Sequence, residues 1–198
     1  MKLKIYLFRH AQTYFNRAHR FTGWKDSKLT PLGKEQAKKI ALKLKGKHID
    51  VAYRSHLSRS KDTLKTVLKY HPECQKVIVD DRIIERSYGK LQGKSHEQFV
   101  KQMGIKDYQT LLHWHKIDFL HGEARKDFIE KHGETDLKII RRSYAHVPPG
   151  GESVKMVEQR VNLFIRELLK KMKKYGKKPS DLAFLVGVAG HTDMLGLD

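Results

Sequence analysis

The chain has 198 residues, of which 39% are hydrophobic and 32% are charged, and 41 lysine and arginine residues against 22 acidic ones give a formal net charge of +19. This length and hydrophobic content suit one folded domain with a core and exclude a disordered chain. The single cysteine, Cys74, excludes an intramolecular disulfide framework and a cysteine-based zinc site.

Short apolar runs alternate with segments of helical periodicity along the chain. The apolar runs predict four strands, at Ile5–Phe8, Ile49–Tyr53, Lys76–Val79 and Leu182–Val188. The helical periodicity predicts helices from Thr30-Pro31 to about Gly46, over Ser60–Tyr70 and over Ser153–Tyr175, with a mostly helical segment from Ser95 to about Ile140. The residues between the first strand and Thr30 are expected to form a polar and aromatic loop.

Strands that alternate with helices predict an α/β fold with a mostly parallel sheet. We expect a three-layer sandwich with helices on both faces of the sheet, plus a helical insert at about residues 95–140. Ligands of such sheets bind beyond the carboxyl ends of the strands. His10 follows the first predicted strand and His191 follows the last, so the two histidines are expected to share one crevice.

The chain carries no segment that predicts a membrane anchor. Leu182–Gly190 is too short to span a bilayer, and the apolar run near the N-terminus is too short for a secretory signal. We therefore expect a soluble, cytoplasmic protein. The large positive charge indicates a polyanionic partner or substrate.

Several motifs suit phosphate chemistry. In chain order they are Arg9-His10-Ala11-Gln12-Thr13-(x)2-Asn16, Arg20-Phe21-Thr22-Gly23-Trp24, Ser55-His56-Leu57-Ser58-Arg59-Ser60-(x)2-Thr63, Glu85-Arg86-Ser87-Tyr88-Gly89-Lys90-Leu91-Gln92-Gly93, Arg141-Arg142 and His191. With these motifs the chain resembles the histidine phosphatase superfamily and, within it, the cofactor-dependent phosphoglycerate mutases. The resemblance is weakest between His96 and Ile140. It implies one mutase-like domain over residues 1–198, with a C-terminus truncated relative to the family.

The resemblance also implies a set of catalytic residues, and their chemistry fits phosphoryl transfer. Such transfer needs a nucleophile, cations on the phosphate oxygens and a proton donor for the leaving oxygen. His10 is the expected nucleophile, and it would form a phosphohistidine. Arg9 and Arg59 suit the phosphate oxygens, and a protonated His191 would add a third positive group. Glu85 is the expected general acid and then base, with a pKa raised by the nearby phosphate.

A second set of residues is expected to bind the rest of the substrate. By resemblance this set is Asn16, Thr22, Gly23, Arg86, Tyr88, His96, Arg141 and Arg142. The arginine pair, placed after the helical segment, favours a lid that excludes water. We expect 2,3-bisphosphoglycerate as the phosphoryl donor, no metal, and a small anionic phosphorylated substrate. The oligomeric state stays open, with a homodimer as one option.

Four functions remain open at this point. The leading hypothesis is interconversion of 3-phosphoglycerate and 2-phosphoglycerate. A histidine-dependent phosphatase that hydrolyses a small phosphomonoester is the alternative, favoured by the long insert and the Pro149–Ser153 turn. The charge alone suggests nucleic-acid binding, which we disfavour because no nucleic-acid motif is present. Thr192 and Asp193 differ from the residues usual in the family, which leaves an inactive relative as the fourth hypothesis.

Overall fold

A parallel four-stranded sheet forms the centre of the structure. The computed structural model describes residues 4–175 and 183–188. The strands follow the spatial order β1 (Lys4–Arg9), β4 (Ala183–Val188), β2 (Val51–Arg54) and β3 (Lys76–Val79). Each predicted strand is present; β3 has the predicted bounds, and the ends of the other strands differ from the predicted ones by at most two residues. The α/β class and the parallel sheet are therefore confirmed.

Six α-helices lie in the described part of the chain. They are α1 (Tyr14–Arg17), α2 (Pro31–Leu44), α3 (Ser58–Leu68), α4 (His96–His113), α5 (Gly122–Arg142) and α6 (Val154–Tyr175). Two short 3-10 turns, Asp81–Ile83 and Gly89–Leu91, precede α4. Helix α2 begins as predicted, because the Thr30 hydroxyl accepts a hydrogen bond from the Gly33 amide at 2.9 Å.

Helix α1 corrects the expectation of a loop that runs without interruption to Thr30. Thr13 and Asn16 form a reciprocal capping box, in which the Asn16 amide donates to the Thr13 hydroxyl at 3.2 Å and the Thr13 amide donates to Asn16 Oδ1 at 3.0 Å. A single turn of helix is too short to show apolar periodicity. Periodicity in the sequence therefore could not reveal it.

The buried strand β2 contacts helices through both of its faces. Val51 and Tyr53 pack in one cluster with α6, whereas Ala52 packs in another with α2 and α3. This alternation follows from the two-residue period of a strand. Burial of both faces explains why Val51, Ala52 and Tyr53 are all apolar, rather than alternating with polar residues.

The carboxyl ends of β1 and β4 lie side by side. Arg9 pairs with Val188 in parallel register, and these are the last residues of the two strands. His10 therefore directly follows the end of β1, next to the end of β4. His191, Thr192 and Asp193 lie outside the described residues. The shared crevice of the two histidines therefore stays a prediction.

Helices α4 and α5 pack against each other at two glycines. A methyl group at Gly104 would overlap the Ile129 carbonyl, and one at Gly133 would overlap the Val100 carbonyl. This α4–α5 pair also joins a core cluster with the motif residues Phe21 and Tyr88. The pair thus contacts Tyr88, which is predicted to bind the substrate.

We expect Gly133→Val to destabilise the protein by roughly 1–3 kcal/mol, because the added side chain forces the two helix backbones apart. Valine is a better helix former than glycine, so intrinsic propensity would act in the opposite direction. Urea unfolding measures the change. The control is Ala124→Val at an exposed position of α5, and an equal effect of the two substitutions would show that the close contact is unimportant.

Candidate active site

The His10 side chain is buried directly after β1, with 6% of its surface exposed. Its Nδ1 lies 2.8 Å from the Ala11 carbonyl oxygen. Because a carbonyl oxygen only accepts, Nδ1 carries the proton and Nε2 keeps a free lone pair. Burial, followed by the charges of Arg59 and Arg9, lowers the pKa of His10 to about 3. His10 is therefore a neutral imidazole with an available nucleophilic nitrogen.

Arg59 lies in the first turn of α3 and is fully buried. Its Nη2 donates to the Gly23 carbonyl at 2.6 Å and to Glu85 Oε2 at 2.9 Å, and its Nη1 donates to the Lys25 carbonyl at 3.1 Å. These contacts fix the plane of the guanidinium group. They leave Nε without a hydrogen-bond partner among the described residues.

Three buried nitrogen atoms of the predicted catalytic residues lack partners within the described part of the chain. They are Arg9 Nε, His10 Nε2 and Arg59 Nε. The two arginine charges act on the His10 pKa, which places both guanidinium groups within electrostatic reach of the imidazole. Buried polar atoms without partners are uncommon in folded proteins. Two cationic donors beside one nucleophile match the requirements of a bound phosphate.

Hydrogen bonds between residues distant in sequence hold the start of α3 beside the segment that follows β1. Asp26 Oδ1 accepts hydrogen bonds from the Ser58 amide at 3.1 Å and the Ser58 hydroxyl at 3.0 Å, at the start of α3. The Thr63 hydroxyl donates to the Arg59 carbonyl at 2.8 Å and accepts from the Ala11 amide at 3.2 Å. One side chain thus links the loop of the nucleophile to the helix of the arginine.

Glu85 lies beyond the 3-10 turn Asp81–Ile83 and has 8% of its surface exposed. Its carboxylate meets Arg59 Nη2 at 2.9 Å. Burial raises the pKa of Glu85, while the charges of Arg59 and Arg9 oppose that rise. The structure thus brings four of the predicted catalytic residues together: Arg9, His10, Arg59 and Glu85.

Arg86 uses two of its three guanidinium nitrogens on the protein backbone. Nε donates to the Glu152 carbonyl at 2.7 Å and Nη2 donates to the Ile140 carbonyl at 2.7 Å. The buried Nη1 has no partner among the described residues, and the guanidinium carbon lies 5.2 Å from the centre of the Tyr88 ring. Arg86 therefore anchors the last turn of α5 and keeps one donor for a ligand.

Tyr88 interacts electrostatically both with the predicted catalytic residues and with the last turn of α5. Burial and the Glu85 charge raise the pKa of Tyr88, and the charges of Arg86, Arg141 and Arg9 act against that rise. Arg141 is half-buried in the last turn of α5, whereas Arg142 is exposed. Tyr88 thus lies within electrostatic reach of both Glu85 and Arg141, but no described contact places Arg142 there.

Three further predicted substrate residues, Thr22, Gly23 and His96, lie beside Phe21. The rings of Tyr88 and His96 lie 5.2 Å and 4.5 Å from the Phe21 ring. Thr22 is buried, and Gly23 has a positive φ of 53° at a position where a Cβ atom would overlap Gln92. Asn16 uses its side-chain oxygen to cap α1, as described above.

Comparison with known proteins identifies the family. Residues 5–135 match the model of the histidine phosphatase superfamily (branch 1). The chain belongs to this superfamily. The resemblance in the sequence motifs is therefore confirmed.

The proteins to which the chain is similar carry mutase names in sequence, and both mutase and phosphatase names among structures of similar fold. A protein of Parvibaculum lavamentivorans named 2,3-bisphosphoglycerate-dependent phosphoglycerate mutase is 36% identical over 174 residues, which cover 86% of this chain and 69% of the relative. A phosphoglycerate mutase structure from Bacillus anthracis aligns with a TM-score of 0.65 at 24% identity, over 94% of this chain and 74% of that one. An alpha-ribazole phosphatase structure from Shigella flexneri aligns with a TM-score of 0.63 at 20% identity, over 93% and 73%.

Sequence reasoning missed one polar pair beside the site of this superfamily member. Glu152 and Arg160 form an ion pair at 3.0 Å that contacts the backbone of the Glu85 segment. A signal was present, because Arg160 falls on the apolar stripe of α6, three residues after Val157 and four before Phe164. A charged residue on such a stripe indicates a buried polar contact.

Across the described residues, no helix has the length and apolar character needed to cross a membrane.

Proposed function

We propose that the protein transfers phosphoryl groups through a phosphohistidine at His10, and that it interconverts 3-phosphoglycerate and 2-phosphoglycerate. One observation carries the proposal. The Nε2 atom of His10 is buried, lacks a partner among the described residues and belongs to a neutral imidazole. A nucleophile of this kind, with Arg9, Arg59 and Glu85 around it, suits attack on phosphorus.

The reaction follows from the positions of these groups. His10 Nε2 attacks the phosphorus atom in line, and the bond between phosphorus and the substrate oxygen breaks. Glu85 gives its proton to the departing oxygen, and Arg9 and Arg59 stabilise the charge on the phosphoryl oxygens. Phosphorylated His10 then gives its phosphoryl group to the free hydroxyl oxygen of 3-phosphoglycerate, whose proton Glu85 takes, and 2,3-bisphosphoglycerate forms. Attack of His10 on the other phosphate of this compound, with Glu85 again as the acid, releases 2-phosphoglycerate and restores the phosphohistidine. His191 is proposed as a further positive group at the same phosphate.

The donor set fits 2,3-bisphosphoglycerate, which carries two phosphates and a carboxylate. The buried nitrogens of Arg9, Arg59 and Arg86 that have no partner among the described residues belong to three permanently charged groups, so they suit an anion with several acidic groups. We propose that Arg86 with Tyr88 and Arg141 binds the end remote from His10. The other members of this set are Asn16, Thr22, Gly23, His96 and Arg142. When bound, this compound supplies the phosphoryl group that primes His10.

A phosphatase is the second candidate. It shares every residue above, but water takes the phosphoryl group from His10. The fold similarity to a phosphatase structure and the Pro149–Ser153 turn favour it. The burial of His10 and Glu85, which are 6% and 8% exposed, favours the mutase, because a covered site excludes water from the phosphohistidine.

The architecture around this function is part of the proposal. The contacts of β2 on both faces support a three-layer sandwich, and α4 with α5 corresponds to the proposed insert in a single domain over residues 1–198. A cytoplasmic location and a small anionic substrate remain predictions.

We expect the full chain to form 2-phosphoglycerate from 3-phosphoglycerate when 2,3-bisphosphoglycerate is present in catalytic amounts. Release of inorganic phosphate should be slower than this reaction, because a covered site excludes water. A coupled assay for 2-phosphoglycerate and a phosphate assay on the same sample measure both rates. Rapid phosphate release without 2-phosphoglycerate would instead establish the phosphatase, and the absence of both products would contradict both candidates.

A further inference from the structure

The backbone carbonyl of Glu85 is held from outside the catalytic cluster. Arg160, in the second turn of α6, donates from Nη2 to this carbonyl at 3.1 Å and from Nη1 to the Arg82 carbonyl at 2.8 Å. Trp24 Nε1 donates to the same Glu85 oxygen at 2.8 Å. Both lone pairs of this carbonyl are therefore engaged by side chains from elsewhere in the chain.

Glu152 extends the contact to the other side of Glu85. Its Oε1 accepts from Arg160 Nε at 3.0 Å, and its Oε2 accepts from Arg160 Nη2 at 3.1 Å and from the Ser87 amide at 2.9 Å. The two side chains are 12% and 17% exposed, so water competes little for these bonds. The pair thus fixes the backbone at three points, residues 82, 85 and 87.

The side chain of Glu85 itself is weakly anchored. Its carboxylate has one hydrogen-bond partner within the described part of the chain, Arg59 Nη2. That arginine must also serve the phosphate in the proposed reaction. The position of the carboxyl group therefore depends mainly on the backbone that carries it.

We propose that Glu152 and Arg160 are positioning residues that hold Glu85 where it can protonate the leaving oxygen. This inference rests on the proposed function, because it takes Glu85 as the general acid. It gives the Glu152 of the Pro149–Ser153 turn a role in the reaction. A displacement of the acid by about 1 Å costs on the order of 10²-fold in rate, so a backbone contact is sufficient to matter.

The leaving group separates this role from a merely structural one. 2,3-Bisphosphoglycerate must release an alcohol oxygen, which needs a proton, whereas p-nitrophenyl phosphate releases a stable anion without one. We expect Arg160→Met to slow phosphorylation of His10 by 2,3-bisphosphoglycerate about 10- to 100-fold. Phosphorylation by p-nitrophenyl phosphate should change less than about threefold, because the nucleophile and Arg59 stay in place. Single-turnover quenched-flow measurements give both rates. Equal losses with the two donors would overturn the proposal.

A matched control is Arg82→Met. The Arg82 side chain also joins this segment to α6, through Glu167 at 2.7 Å, but it makes no described contact with the Glu85 backbone. Both phosphorylation rates should stay at the wild-type level. If Arg160→Met is poorly folded, Arg160→Lys replaces it, since a single ammonium group retains the charge beside Glu152 but cannot reproduce the three-sided contact.

Glu85→Gln, measured in parallel, separates the two proposals. If it slows 2,3-bisphosphoglycerate selectively and the Arg160 variants do not, the positioning role is wrong and the proposed function stands. If it slows both donors equally or neither, Glu85 is not the general acid. In that case the proposed mechanism and the positioning role are overturned together.

Discussion

His10→Ala is expected to abolish the covalent intermediate and to lower the rate of phosphoryl transfer by about 10⁴-fold or more, as loss of a catalytic nucleophile does in other enzymes. The alanine has no atom that can replace Nε2. The remaining arginines still bind phosphate, so the Michaelis constant should change far less than the turnover rate. Labelling with radioactive 2,3-bisphosphoglycerate, followed by peptide mapping of acid-labile phosphate, checks the result directly.

The control for this experiment is His56→Ala. His56 is exposed and its Nδ1 pairs with Asp81 at 2.8 Å, so the substitution removes a histidine without touching the buried cluster. Label should remain on His10 in this variant. Label that persists in His10→Ala, or that maps to another residue in the wild type, would show that His10 is not the nucleophile.

The sequence predicted the elements that carry the nucleophile better than those that carry the acid. β1 follows from an apolar run, and it places Arg9 and His10. Helical periodicity predicted a helix from Ser60, whereas α3 begins at Ser58 and therefore carries Arg59 in its first turn. Glu85 lies in an irregular segment after a 3-10 turn, where no periodicity exists. Its location depends on side chains distant in sequence, such as Trp24. The motif predicted the role of Glu85, but the sequence could not predict how its backbone is held.

The causes of the pKa shifts of Glu85 and His10 also became apparent only in the three-dimensional structure. Glu85 was expected to have a raised pKa because of a nearby phosphate, whereas the structure raises it through burial before any phosphate binds. His10 has its pKa lowered by burial and by Arg59, a residue 49 positions away in sequence. The same cluster therefore keeps the nucleophile His10 neutral and shifts Glu85 toward its protonated form. Transfer of a phosphoryl group to His10 requires this combination of a neutral imidazole and a protonated carboxyl group.

The opposite directions of these two pKa shifts predict the pH dependence of the reaction. The acid role of Glu85 needs its protonated form, which is present below its raised pKa and is lost as the pH rises through that value. His10 stays neutral down to a pKa of about 3, so it should impose no loss of rate on the acidic side between about pH 5 and 8. The rate constant kcat/KM for phosphorylation by 2,3-bisphosphoglycerate should therefore fall on the alkaline side only.

Glu85→Gln should remove this fall in rate at alkaline pH. At pH values below the Glu85 pKa, it should lower the rate by about 10²- to 10⁴-fold, the usual contribution of a general acid. Ionisation of the substrate phosphate affects both enzymes equally, so the ratio of wild-type to variant kcat/KM isolates Glu85. That ratio should decline about tenfold per pH unit above the Glu85 pKa. Glu158→Gln makes the same chemical change at an exposed carboxylate and should leave the profile unaltered. A ratio that stays constant with pH would remove Glu85 from the mechanism, because no proton on that carboxyl group would then be limiting the reaction.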